Sequence, residues 1–267
     1  QFLSEKLNTV YEYREATTIA NWVLEELTGM KKSERLIHKE KSLTDEQEFL
    51  LKKYCTELQQ HKPLQYILGY TYFMKMKFFV SENVLIPRPE TEELVDWSVQ
   101  SIDDKNKKHS ILDIGTGSGI IPVSIKKNLP AAGVFATDIS EGALLIAKKN
   151  ADTNHANIHF QQADILNEDE WETFSMFDII ISNPPYIRLL EKDEMDSNVL
   201  NYEPHLALFV NDEDPLLFYR KITRFAKQHL NNNGFLYFEI NEAFGNETVQ
   251  LLQENNFCEI TLKKDMQ

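Results

Sequence analysis

The sequence predicts an α/β protein: a mostly parallel sheet covered by helices on both faces, preceded by a small helical domain and joined to it by a β-hairpin. Three observations carry this. Strand-like apolar runs alternate with helical text from residue 110 onward, the pattern of a parallel sheet with crossover helices. A glycine-rich stretch, Gly115 to Gly119, closes the first of those runs. Before residue 70, apolar residues recur at helical rather than strand spacing.

The first helix is expected over Arg14 to Thr28, where Ile19, Val23 and Leu27 share a face and Gly29 marks a stop. A short segment around Ser33 to Lys39 follows. Thr44 and Gln47 form a capping-box pattern that opens a helix carrying Leu50, Tyr54 and Leu58, which ends before Pro63. From Tyr70 to Val80 the residues alternate, Met74, Met76 and Phe78 against Lys75 and Lys77, which reads as a hairpin. The segment Pro87 to Glu93 opens a helix with Leu94, Val95 and Val99, its prolines early and its acids at the positive end of the dipole. Strands are then expected at 110–114, 133–137, 158–161, 177–182, 234–240 and 257–262. The domain organisation expected is residues 1–68 helical, 69–86 a hairpin linker and 87–267 the large Rossmann-like domain.

The 267 residues carry a formal net charge of -14 and a sequence pI near 5.0, so long-range attraction to a phosphate backbone is weak or repulsive. A protein or small-molecule substrate is favoured, with nucleic acid involved only indirectly. Cys55 and Cys258 are far apart in sequence, outside any CxxC or Cys/His cluster, and both read as core cysteines in a reducing compartment. No metal site is expected. No stretch has the apolar length of a membrane span, and the cytoplasm is the expected location.

The run Asp113-Ile114-Gly115-Thr116-Gly117-Ser118-Gly119 leads from a strand into Ile120-Ile121-Pro122-Val123, a tight turn where a ligand can approach the backbone. Its spacing differs from the dinucleotide fingerprint, and the phosphate-loop ending is absent. A turn serving only helix packing is the alternative. Asp138 ends the next strand about twenty residues on, the interval at which an acid meets ribose hydroxyls; locally it reads equally well as a helix N-cap. Asp164 can accept from an adenine amine while Ile165 packs on the ring. Asp113 can face the ammonium of a methionine moiety directly or through water. A nucleoside grip with an ammonium contact and no phosphate device matches S-adenosylmethionine, with S-adenosylhomocysteine as product, better than NAD or ATP.

The run Phe177 to Ser182 enters Asn183-Pro184-Pro185-Tyr186. A diproline fixes its carbonyls, so the Asn183 side-chain oxygen and the Pro184 carbonyl can hold both hydrogens of one planar NH2 group. That aims the nitrogen at the methyl carbon and stabilises the charge developing on it. Tyr186 can lie against a flat acceptor, a carboxamide or a nucleobase. Asn183, Pro184 and Tyr186 are thus the candidate catalytic residues, and Asn183 to Tyr186 the acceptor site. A rigid turn ending a strand is the alternative.

The pattern resembles the HemK/PrmC family of protein-(glutamine-N5) methyltransferases. The resemblance spans nearly the whole chain: Pro63 to Gly69, Ile86-Pro87-Arg88-Pro89-Glu90-Thr91-Glu92, Asp113 to Gly119, Asn183 to Tyr186, and Tyr202-Glu203-Pro204 with Ala207-Leu208. It implies that the Gly-Gly-Gln glutamine of peptide chain release factors is the substrate and that the helical domain docks the factor. It also implies that Gly115 to Gly119, Asp138 and Asn183 contact the cofactor. The arginine-proline segment discriminates, since Asn-Pro-Pro-Tyr is shared with enzymes that methylate exocyclic nucleobase amines, the rival reading. Ile165, where family members often carry an aromatic, and Asn241, where many carry glycine, depart from the pattern. Arg88 has two readings, a partner for the methionine carboxylate or a brace for its loop.

Overall fold

The computed structural model describes residues 2–264, which divide into two compact units. The smaller comprises the chain up to Tyr70 together with Asp196–Tyr202. Its helices are α1 (Phe2–Leu7), α2 (Tyr13–Thr28), α3 (Lys32–Ile37), α4 (Asp45–Gln59) and α5 (Leu64–Leu68). Gly29 ends α2 in the left-handed conformation at φ 65°, and both halves of the Thr44/Gln47 capping box form at the start of α4. Leu3, Leu7, Ile19, Val23, Leu58 and Leu64 meet in one buried cluster. The helices α1 and α5 lie beyond the sequence reading, being too short to show a period.

The larger unit opens with the hairpin of β1 (Tyr70–Phe73) and β2 (Met76–Phe79). Met74 and Lys75, at φ 47° and 64°, form the tight turn whose twist suits a hairpin. The backbone amide of Met74 is anchored by donation to the Glu92 carboxylate at 2.6 Å. Glu92 lies on α6 (Pro89–Gln100), which Arg88 caps and Pro89 begins.

The central sheet has five parallel strands in the order β5-β4-β3-β6-β9. These are β3 (Ser110–Ile114), β4 (Gly133–Asp138), β5 (Ile158–Gln162), β6 (Phe177–Ser182) and β9 (Leu230–Phe238); the two-residue β7 (Ile187–Arg188) and β8 (Phe209–Val210) pair separately. Alternate side chains enter two cores. Ile111, Ile179 and Ile181 pack with α6 and with α7 (Ile120–Asn128), while Leu112, Ile114 and Ile180 pack with α11 (Leu217–His229). Two shorter helices, α9 (Ser197–Tyr202) and α10 (His205–Leu208), precede α11, and α12 (Gly245–Glu254) follows β9. Among the described residues no helix is long and apolar enough to cross a membrane.

Two expectations are corrected. The strand expected at 257–262 does not form. Asn256 and Glu259 hold φ of 66° and 53°, which breaks the extended path, and Cys258 is exposed rather than core. The last strand begins at Leu230 rather than Gly234 and is interrupted, with Leu230 paired to Phe177 and pairing resuming at Phe235 with Ile179. The intervening Asn-Asn-Asn-Gly bulges out, with Asn233 at φ 63°.

A fully buried asparagine ties the hairpin to the glycine turn. On α8 (Glu141–Thr153), Asn150 accepts from the Phe79 amide at 2.6 Å and donates to the carbonyls of Phe79 and Ser118 at 2.9 and 2.8 Å. Asn150→Ala strands three backbone groups and is expected to cost about 3 kcal/mol, read as a lower urea midpoint. A midpoint within error of the parent would refute this role.

Candidate active site

The chain runs outward from β3 to β4 and β5, then crosses back to place β6 on the other side of β3. This reversal opens a crevice at the carboxyl ends of β3 and β6, where open α/β sheets bind ligands. The glycine turn leaves β3 there, and Asn-Pro-Pro-Tyr leaves β6. One cleft is lined by Gly115, Thr116, Gly117, Ser118, Asp138, Asp164, Ile165, Asn183, Pro184 and Pro185, together with the segment Asn83 to Arg88. Asp113, Gly119 and Tyr186, also singled out from the sequence, are not among the residues that line it.

The turn explains its own composition. Gly115, Gly117 and Gly119 all hold positive φ. At Gly119, with φ +79°, a Cβ would also come within 3.0 Å of the Ala147 Cβ, so helix packing and backbone geometry both exclude a side chain there. The amides of Gly115 and Thr116 both donate to the Thr137 carbonyl, at 2.9 and 3.0 Å. The Asp138 carboxylate accepts from the Gly117 amide at 2.8 Å and the Ser140 amide at 2.9 Å. Ser140, not Asp138, is the N-cap of α8. Burial pushes the Asp138 carboxyl up, and those backbone amides pull against it.

Asp113 is fully buried, and neither of its oxygens, nor the Thr116 hydroxyl, has a partner in hydrogen-bond geometry. Burial pushes its carboxyl from 3.8 up to about 7, tempered by the nearby Thr116 hydroxyl and raised further by the Asp138 charge. Across the cleft, Asp164 accepts from the Leu166 amide at 2.9 Å. The Trp171 indole donates to the Ile165 carbonyl at 3.0 Å, fixing the backbone beneath that side chain.

Residues distant in sequence complete the acceptor side. The Asn183 amide nitrogen donates to the Thr91 hydroxyl at 3.2 Å, and Thr91 donates to Glu239 Oε2 at 2.7 Å. The Tyr186 hydroxyl donates to Glu239 Oε1 at 3.2 Å. Burial raises the Glu239 carboxyl, opposed by the Thr91, Tyr186 and Asn183 donors. Burial and the Glu239 charge raise the Tyr186 phenol well above its usual range. Asn241 donates to the Tyr186 carbonyl at 3.2 Å, with φ of -67°; nothing in that backbone requires glycine. Arg88 lines the cleft with its guanidinium on Glu203 Oε1 at 2.7 Å, while the other oxygen of Glu203 accepts from the Ile86 amide at 3.1 Å. Arg88 therefore braces its loop. Sequence reading missed Thr91 and Glu239 as site residues although Thr91 lies inside the quoted Ile86 to Glu92 segment; for Glu239 the one available signal was an acid directly after an apolar strand.

Residues 2–69 match the family model described as the PrmC N-terminal domain, and residues 98–201 match the methyltransferase small domain. A release factor glutamine methyltransferase of Flavobacterium psychrophilum is 48% identical over 264 residues, covering 98% of this chain and 92% of that protein. The chain belongs to the release factor glutamine methyltransferase family. A member from Bacteroides thetaiotaomicron is 41% identical over 99% of this chain and 94% of its own length, and one from Lactococcus lactis is 44% identical over 79% and 76%. In this member of the family, the buried charge behind the glycine turn carries a measurable signature.

The folded Asp113 carboxyl binds its proton more tightly than the unfolded one, so its contribution to stability falls as pH rises from about 4 through 7. A rise from 3.8 to about 7 corresponds to about 4 kcal/mol. Asp113→Asn lacks that slope and is expected to gain stability relative to the parent by about this amount between pH 4 and 8, in urea denaturation at each pH. Parallel pH profiles would contradict it.

Proposed function

We propose that this chain transfers a methyl group from S-adenosylmethionine to the side-chain amide nitrogen of the Gly-Gly-Gln glutamine in peptide chain release factors. The observation that carries the reading is the single cleft in which Gly115 to Ser118, Asp138 and Asp164 face Asn183 to Pro185. Family membership supplies the substrate class.

The residues fit the cofactor. Asp138 has one backbone hydrogen bond on each oxygen, leaving lone pairs for the two ribose hydroxyls. Asp164 and Ile165 would hold the adenine. The orphaned acceptors of Asp113 and Thr116 are what a cationic ammonium, met directly or through water, would satisfy. When bound, the cofactor supplies a methyl carbon already activated by a positive sulfur.

The chain's own residues present the nitrogen. Asn183 Oδ1 and the Pro184 carbonyl would take the two hydrogens of the glutamine NH2, directing its remaining electron density toward the cofactor. These fixed dipoles are worth more as positive charge grows on nitrogen than in the ground state, which is the condition for accelerating the step. The proton leaves to solvent after the bond forms. Tyr186, held by Glu239 and Asn241, buttresses the turn. The helical unit is assigned the docking of the release factor, on the strength of its match to the PrmC N-terminal domain; the cytoplasm, where such factors act, is the proposed location.

Incubating the purified chain and labelled S-adenosylmethionine with release factor, tRNA, rRNA and DNA, then locating label by mass spectrometry, tests the reading. Label is expected on the glutamine alone; label confined to nucleic acid would overturn it in favour of an exocyclic nucleobase amine. Asn183→Ala is expected to retain much of its cofactor affinity by calorimetry while losing turnover by a factor on the order of a hundred or more. Unchanged turnover would refute the role given to Asn183.

A further inference from the structure

The acceptor site works only if the correct end of the Asn183 amide faces the cleft. An amide has an acceptor oxygen and a donor nitrogen of nearly the same shape. The oxygen can receive a glutamine NH2, whereas a flipped amide would set donor against donor. Resting on the reading that a carboxamide NH2 is the acceptor, we propose that Thr91 and Glu239 are positioning residues that lock the Asn183 amide with Oδ1 toward the substrate.

The lock follows from counting donors. An ionised carboxylate only accepts, so Thr91, 2.7 Å from Glu239 Oε2, spends its one hydrogen there. Its oxygen can then meet only a further donor. The group it meets, at 3.2 Å, is the Asn183 amide, which must therefore offer its nitrogen. Among the described residues Oδ1 is left as the free end, on a side chain that lines the cleft.

The other oxygen of Glu239 accepts from the Tyr186 hydroxyl at 3.2 Å, so one carboxylate holds the first and last residues of the motif. Glu239 is itself held. Its carbonyl accepts from the Tyr219 hydroxyl at 3.4 Å, and the next amide but one, that of Asn241, donates to the same hydroxyl at 3.3 Å. Thr91 is 1% exposed, so water does not compete for its hydroxyl. Neither residue touches the reacting atoms; both act through Asn183.

The test compares Thr91→Val, Thr91→Ser and Glu239→Met with the parent in methyl transfer to purified release factor, with thermal melting and S-adenosylmethionine affinity by calorimetry alongside. Valine keeps the shape of threonine and removes the hydroxyl. Thr91→Val is expected to bind the cofactor as the parent does and to keep KM for the release factor within about twofold, while kcat falls about tenfold, the preference one hydrogen bond imposes. Thr91→Ser recovers most of that loss. Glu239→Met keeps the length of the side chain and removes both acceptor oxygens, which frees the Thr91 hydrogen to turn toward Asn183 Oδ1, and it is expected to lower kcat to a similar extent.

Equal kcat in Thr91→Val and the parent, or equal losses in the valine and serine variants, would overturn the lock. If Thr91→Val does not melt cooperatively, Glu239→Met decides, and an unchanged kcat there overturns it. Failure of the parent to label the release factor would overturn the proposed function as well. A parent that labels it beside an undiminished Thr91→Val overturns the lock alone.

Discussion

Strands β3 and β6 pair in parallel from Ile111 with Ile179 to Ile114 with Ser182, and their carboxyl ends consequently emerge side by side. The Ser182 hydroxyl donates to the Ile114 carbonyl at 2.7 Å, fully buried, at the last rung of that ladder. Everything chemical in the larger unit is arranged about this rung. The residue after Ile114 starts the glycine turn and the residue after Ser182 is Asn183. A one-residue slip in register would send alternate side chains to the wrong face and separate the glycine turn from Asn-Pro-Pro-Tyr. The isoleucines that fill both faces of β6 protect the register.

Around that pair, the cleft is held by polar side chains that are buried (Asn150, Glu203) or half-buried (Glu239). Asn150 joins the hairpin to Ser118, Glu203 joins Ile86 and Arg88 to the chain before α10, and Glu239 joins α6 to the acceptor turn. Each satisfies several donors at once. Such groups are costly if half satisfied and rigidifying when complete, so each of these tethers trades stability for a fixed wall. Asp113 is the exception, a fully buried carboxyl with neither oxygen in a hydrogen bond among the described residues.

What could be read from the text was local. The glycine turn, Asn-Pro-Pro-Tyr, the capping box at Thr44 and the proline start of α6 are each defined by residues within a few positions of one another, and each forms as its chemistry requires. Thr91 and Glu239 are 148 residues apart, and only the strand order brings them together. Glu203 likewise reads as an ordinary acid until the fold sets Arg88 against it. Tyr186 and Asp113 were assigned to the cleft from their motifs, yet neither lines it: Asp113 is buried within β3, and the Tyr186 hydroxyl is turned to Glu239. The lost strand at 257–262 has the right apolar content, but two left-handed residues, at Asn256 and Glu259, decide its path, and apolar periodicity is blind to both.

The tryptophan beneath the cleft gives the molecule an optical property. Of the three tryptophans in the chain, Trp171 is nearly fully buried and its indole N–H is bonded to the carbonyl of Ile165, whose side chain lines the cleft. Trp22 lies in the helical unit and is 48% exposed, and Trp97 sits edge-on to Tyr237 with the Lys263 ammonium over its ring. The three indoles thus differ in surroundings, and among the described residues Trp171 is the one joined by a hydrogen bond to a residue that lines the cleft. A ligand that shifts the Ile165 backbone would reach the Trp171 indole through that bond, so intrinsic fluorescence offers a label-free readout of cleft occupancy.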